Sequence, residues 1–303
     1  MHQVELEEVR SWLINLLQAK LSESGRTWLT ERYRKLDSLY TSSKFHLAFG
    51  AAPRFVGKGS LSQSEEELAK AQEIRQGLRP DTWTADETAR ILFLLLLPND
   101  SAETHYAAVM DVFDTADMGE QAALFKAFPL LPYPEQYQDL AAEGIRTNMT
   151  VVLEAIALNN PYPAEFLEEN AWNQLFLKCT FTDRPLHKIQ GINLRENPEL
   201  ARIISDYAHE RWSAGREVTP EIWCPVGPYF AETHLEDMKK LLEHSMPIQR
   251  EAAALLCIEA GTKESISLIS GYPALKDKVL KGEITWEGIG KKWETQKLTV
   301  MNE

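Results

Sequence analysis

Apolar positions recur at three- and four-residue steps over most of the chain. Near the N-terminus they fall at Val4, Val9, Trp12, Leu13, Leu16, Leu17 and Leu21, which predicts an amphipathic helix. A second is expected from Leu29 to Tyr40. Phe45 to Gly59 interrupts the pattern with Gly50, Pro53, Gly57 and Gly59. It reads as a long connection between an N-terminal helix pair, 1–44, and a main body, 45–303, of one domain.

Start signals follow at short intervals. Ser64-x-x-Glu67 and Thr84-x-x-Glu87 match capping boxes, and Asp117-x-x-Glu120 is a looser match. Asn197-Pro198 and Thr219-Pro220 place a capping residue before a proline, and Pro134 and Pro247 could open helices in the same way. Stop signals at Pro98-Asn99-Asp100, Pro129 to Pro134, Asn159 to Pro163, Gly191 to Asn197 and Gly261-Thr262 divide the rest. Strand-like alternation is nearly absent; Leu298 to Met301 is too short to count. These signals predict an all-α chain of about fourteen helices. Very short turns join Ser101–Thr115 to Met118–Phe128 and Ile248–Ala260 to Lys263–Ile269. With no fixed repeat length, the expectation is an irregular α-solenoid or α/α superhelix.

Composition fits a packed core: 303 residues, 44% hydrophobic and 25% charged. A formal charge of −13, spread without acidic blocks, opposes contact with a phosphate backbone. The densest basic run, Arg32-Tyr33-Arg34-Lys35, reads as one solvated helix face, so no nucleic acid is expected as partner. Cys179, Cys224 and Cys257 are far apart and form no zinc-type cluster. Cys179 and Cys257 lie in apolar runs and read as small core residues. The first five residues turn acidic without an apolar signal core. The longest purely apolar run, Ile91 to Leu97, is well below the ~20 residues that cross a bilayer. A cytoplasmic chain without integral membrane segments is expected.

Candidate chemistry concentrates between Ala141 and Tyr229, where single polar residues interrupt apolar helices. Glu154 is the only charged residue from Thr147 to Ala164, and Lys178 the only one from Asn170 to Thr182. Charges in such surroundings need partners. Glu154 is expected to pair with Lys178 or with Arg146. One reading is an ion pair that fixes helix register. The other is a polar pocket floor, with Glu154 as acid or base and Lys178 or Arg146 as an anion hook. Asn148, Asn159, Asn160, Tyr162, Asn173 and Gln174 lie around it. Asn159-Asn160-Pro161 also reads as a helix end and turn. Asn173 and Gln174, inside an apolar helix, each need a hydrogen-bond partner. His187, in a loop, is either a proton shuttle or a surface histidine.

Other motifs carry less. His209-Glu210 resembles half of a metalloprotease motif, but position 213 is Ser213 rather than a second histidine. Asp111, Asp114 and Asp117 form a sparse acidic run, too thin for a diphosphate–magnesium site. No G-x-S-x-G, G-x-G-x-x-G or P-loop occurs. No metal and no cofactor is expected. Trp286 and Trp293, seven residues apart, read as packing a terminal helix.

The segments Glu143 to Asn148, Glu154 to Pro163 and Ala171 to Lys178 resemble the EboA family. So do Asn197 to Arg202, Tyr207 to Arg216 and Trp223 to Pro228. Phe45 to Pro53 and the Trp83 to Pro98 helix extend the likeness, which covers roughly residues 45 to 260. The first 40 and last 40 residues carry none of its motifs. The resemblance implies a bacterial or algal gene cluster with a UbiA-like prenyltransferase, a TatD-like hydrolase, a dehydroquinate-synthase-like protein, a sugar-isomerase-like barrel and a phosphodiesterase-like protein. That company implies synthesis or export of a secondary metabolite.

The resemblance supplies no catalytic residues. The candidate ligand set therefore rests on the polar residues themselves: Arg146, Asn148, Glu154, Asn160, Asn173, Lys178 and His187. The leading expectation is a non-catalytic binding or scaffold protein that holds a small polar or phosphorylated precursor, or a partner enzyme of the cluster, in a helical groove. The alternative is an enzyme acting on a phosphorylated or polyol-like precursor, with Glu154 or His187 as acid–base group and Lys178 or Arg146 as anion hook. A third expectation is a peripheral partner of the membrane prenyltransferase.

Overall fold

The computed structural model describes residues 5–301. The readings on Met1 to Val4 lie outside them. Among the described residues there are seventeen α-helices, several short 3-10 segments and no strand; Ser60 and Thr84 make one isolated bridge. The chain is all-α. The helices outnumber the expected fourteen because short ones, such as Tyr162–Phe166 and Pro273–Leu280, lack a periodic signal of their own. The chain divides into two compact units, one up to Glu168 and one from Glu169.

In the first unit, α1 (Leu6–Lys20), α2 (Glu23–Ser38), α3 (Ser42–Val56), α4 (Glu65–Ile74) and α5 (Ala85–Leu94) are followed by α6 (Ala102–Thr115), α7 (Met118–Ala127), α8 (Gln138–Arg146), α9 (Thr150–Ala157) and α10 (Tyr162–Phe166). Helix α5 is the axis of this unit. Nearly all of it is buried, and it packs against α1, α2, α3 and α7. Apolar residues all round a helix predict burial on every side, and Ile91 to Leu97 meets that rule. Helix α7 in turn packs on α9, and α8 on α9.

Phe45 to Gly59 is not a loop. Helix α3 runs through Gly50 and Pro53 as far as Val56. Proline lacks the N–H that would bond the carbonyl four residues back. That carbonyl, on Phe49, instead accepts Arg90 Nε at 3.1 Å. Arg90, 3% exposed on α5, also lies 3.5 Å from Asp86 and 3.6 Å from Glu120. A partner 41 residues away thus offsets a local helix-breaking signal.

The expected caps are present where the signal is local. Ser64 and Glu67 close a full capping box on α4, and Asp117 and Glu120 do so on α7. In the Thr84 box Glu87 accepts the Thr84 N–H at 2.9 Å, and Thr84 Oγ1 donates to Asp86.

The second unit holds α11 (Glu169–Phe181), α12 (Pro198–Ser213), a 3-10 segment (Pro220–Tyr229), α13 (Glu232–Leu242), α14 (Pro247–Ala260), α15 (Lys263–Ser270), α16 (Pro273–Leu280) and α17 (Trp286–Met301). Asn197 caps α12, accepting the Leu200 N–H at 2.9 Å, and Pro198 opens it. Thr219-Pro220 opens a 3-10 segment rather than an α-helix, because Pro225 and Pro228 remove further N–H donors. Helix α14 is the axis here, packing on the 220–229 segment, α13, α15, α16 and α17. Left-handed Gly261 (φ 61°) ends α14, and Thr262 caps α15.

Candidate functional site

Four of the candidate residues fall in the first unit. Arg146 ends α8, exposed, with Glu143 3.0 Å away one turn back. Asn148 is exposed in the turn that follows. Glu154 is half-buried on α9. Asn160 is 4% exposed, and its amide is fully used. Nδ2 donates to Phe125 O and to Ala155 O, each at 3.0 Å, and Oδ1 accepts the Tyr162 N–H at 3.0 Å. Asn159 takes a left-handed φ of 55°, so the Asn159-Asn160-Pro161 stretch is the turn that its composition predicts.

A shallow depression of about 10 Å³, room for about one water, lies at this turn. Trp83, Leu158, Asn159 and Pro161 contribute to its wall, with Lys126. Lys126 Nζ is held by Glu87 at 2.7 Å. The tyrosine hydroxyls nearby are committed as well. Tyr162 donates to Pro134 O at 2.7 Å and Tyr137 to Pro132 O at 2.6 Å. Burial pushes both phenols well above their ordinary range.

The other three candidates fall in the second unit. Asn173 on α11 is 5% exposed and faces Asn197. The two amides exchange hydrogen bonds of 3.2 and 2.8 Å. Gln174, by contrast, is exposed, as is Phe181 at 60%, so α11 has an open side that its apolar composition conceals. Lys178 is half-buried on the same helix.

His187 is neither a surface histidine nor an open shuttle: its side chain is 4% exposed. Glu221 Oε1 accepts both its backbone N–H at 2.6 Å and its Nδ1–H at 2.8 Å. Nε2 has no hydrogen-bond partner and lies 3.7 Å from Glu294 Oε2 on α17. Lys188 Nζ meets the other oxygen of Glu294 at 2.8 Å. Sequence reasoning missed Glu221 and Glu294. Glu221 sits in the first turn after Thr219-Pro220, where an acid is unremarkable, and nothing local points 34 residues back.

A second histidine–carboxylate pair was also missed. His209 Nε2 lies 2.7 Å from Asp237 Oδ1, with the histidine side chain 50% exposed and the aspartate 8%. One turn along both helices, Lys240 Nζ sits 3.9 Å from the centre of the Trp212 ring. These two contacts join α12 to α13. His209 thus has a partner that its half-motif did not suggest. Asp111 accepts Ser42 Oγ at 2.7 Å and pairs with His46 at 3.0 Å, and Asp117 serves as a cap. Among the described residues no group of three or more His, Cys, Asp or Glu side chains is placed to hold a metal ion. No helix among them is long and apolar enough to cross a membrane.

No curated protein and no solved structure matches the chain. The sequence profile of one family, described as metabolite traffic protein EboA, matches residues 9–227, so the matched stretch enters both units and stops within the 220–229 segment. A match over this much of the chain identifies it as a member of the EboA family.

Proposed function

We propose that the chain is a non-catalytic binding protein in metabolite traffic. It holds a small polar or phosphorylated precursor, or presents it to a partner enzyme, including a membrane prenyltransferase. Cytoplasmic location and secondary-metabolite synthesis or export belong to the same proposal.

The observation that carries the reading is how the candidate polar groups are used. Asn160 and Asn173 have their amides turned to Phe125 and Ala155 and to Asn197, and His187 has its Nδ1 turned to Glu221. A general acid or base must come within about 3 Å of the proton it moves. With α17 in place, a histidine side chain that is 4% exposed does not reach a solvent-borne substrate. The family description points the same way.

The test is a thermal-shift and mass-spectrometric screen of the purified chain against sugar phosphates and prenyl phosphates. A ligand that binds only the folded state raises the melting temperature. The proposal expects at least one such ligand. Failure of every one of them to shift the melting temperature counts against it.

A further inference from the structure

Helix α17 makes several polar contacts with its unit. Glu294 takes Lys188, Lys292 takes Glu251 at 2.7 Å, Lys297 pairs with Asp183, and Trp286 Nε1 donates to Glu259 at 2.8 Å. Among the described residues, Ile289 at 1% exposed is its one fully buried apolar side chain. Ion pairs of this half-exposed kind are weak and screened by salt. Elements held in this way open at lower cost than apolar core helices.

The surface beneath α17 is polar. Gly290 passes directly over the His187–Glu221 pair. A Cβ there would lie 2.3 Å from His187 Nδ1 and 2.4 Å from Glu221 Oε1. Glu294, one turn further on, sets one carboxylate oxygen on Lys188 and turns the other towards His187 Nε2. That nitrogen is buried and has no hydrogen-bond partner, although buried polar atoms ordinarily have one. The carboxylate thus stands where the oxyanion of a ligand would stand, between the Lys188 ammonium and the Nε2 edge of His187, which donates to it when the ring is an imidazolium.

We propose that Lys188 and His187 form an oxyanion-binding pair, that Glu294 occupies it in the closed chain, and that a phosphate- or carboxylate-bearing ligand enters by displacing α17. Glu221 orients the imidazole from behind and holds the 187 backbone N–H, which makes it a positioning residue. The charged groups facing His187 are Glu221 from the 220–229 segment, Glu294 from α17 and Lys188 from its own segment. This rests on the binding role proposed above and gives it a ligand chemistry and a closing element.

The experiment measures inorganic phosphate binding to the full chain by calorimetry, with acetate as a second arm to separate phosphate from carboxylate preference. The variants are Glu294→Gln and Glu294→Gln with Lys188→Gln. Removing a resident competitor raises apparent affinity by the inverse of the fraction already open, expected here at about tenfold. Lys188→Gln should abolish that gain. In parallel, histidine acylation mapped by mass spectrometry should find His187 protected in the wild type and reactive in Glu294→Gln, with half-exposed His209 as internal control. Equal anion affinity in wild type and Glu294→Gln, with both melting alike, overturns the proposal. A metabolite found in the screen that binds regardless of Glu294 and Lys188 would leave the binding role standing and refute only this site.

Discussion

Asn173 and Asn197 hold each other by two amide hydrogen bonds across 24 residues of chain, and Asn197 Oδ1 at the same time caps α12. The pair joins α11 to the start of α12 inside the second unit. Asn173→Ala leaves the Asn197 amide buried with fewer partners, and should lower stability by about 1–3 kcal/mol. Urea denaturation of Asn173→Ala, Asn197→Ala and the double variant tests it. The double variant should cost less than the sum of the singles. Strict additivity would mean that the amides do not act together.

Arg90 is the pin of the first unit. Arg90→Met strands Asp86 and Glu120 and removes the donor that serves the Phe49 carbonyl. A loss of about 3–5 kcal/mol is expected for breaking a buried charge set. Pro53→Ala restores a backbone N–H four residues after Phe49, so it should soften the damage of Arg90→Met. If Pro53→Ala costs the same in both backgrounds, Arg90 is not substituting for that bond.

Gly144 on α8 lets Phe125 approach. A Cβ at 144 would lie 2.6 Å from Phe125 Cζ. Gly144→Ala should cost about 1–3 kcal/mol through overpacking. Pairing it with Phe125→Leu, which removes the ring, should recover part of that loss in a thermal melt.

Two buried histidines should make the fold acid-sensitive. Burial, their largest influence, holds His105 and His234 below the ordinary imidazole value of 6.5. The hydrogen bond to Pro98 O opposes this at His105, and the Asp237 charge opposes it at His234, without reversing either. The unfolded chain then takes up protons that the folded chain resists, so stability falls as pH drops below about 6.5. Glu196 and Glu259, raised by burial, act in the opposite sense at lower pH. Urea midpoints at about pH 7 and about pH 5.5 should differ less in His105→Leu than in the wild type. An unchanged difference would show that His105 does not contribute.

Much of the helix map was legible because its signals are local. Ser64 and Glu67, Asp117 and Glu120, and Asn197 and Pro198 each sit within four residues, and each does what its spacing predicts. Helix α3 was not legible: Gly50 and Pro53 are true breakers, and the partner that carries the chain through them is Arg90. Asn160, Asn173 and His187 are buried polar groups that need partners, but those partners were not readable. Asn173 finds Asn197, and His187 finds Glu221 and Glu294, over separations no local rule spans. Gln174 misled in the other direction, since an apolar helix with one open side looks buried in sequence.

The central claim is binding without turnover. Its most direct measurement takes the best ligand from the phosphate-ester screen, incubates it with stoichiometric protein, and weighs what is released after denaturation. The account predicts that the ligand is recovered unchanged in mass and that bound protein melts at a higher temperature. Release of a product of different mass, lost in His187→Gln or Glu154→Gln while folding persists, would contradict it and make the chain an enzyme.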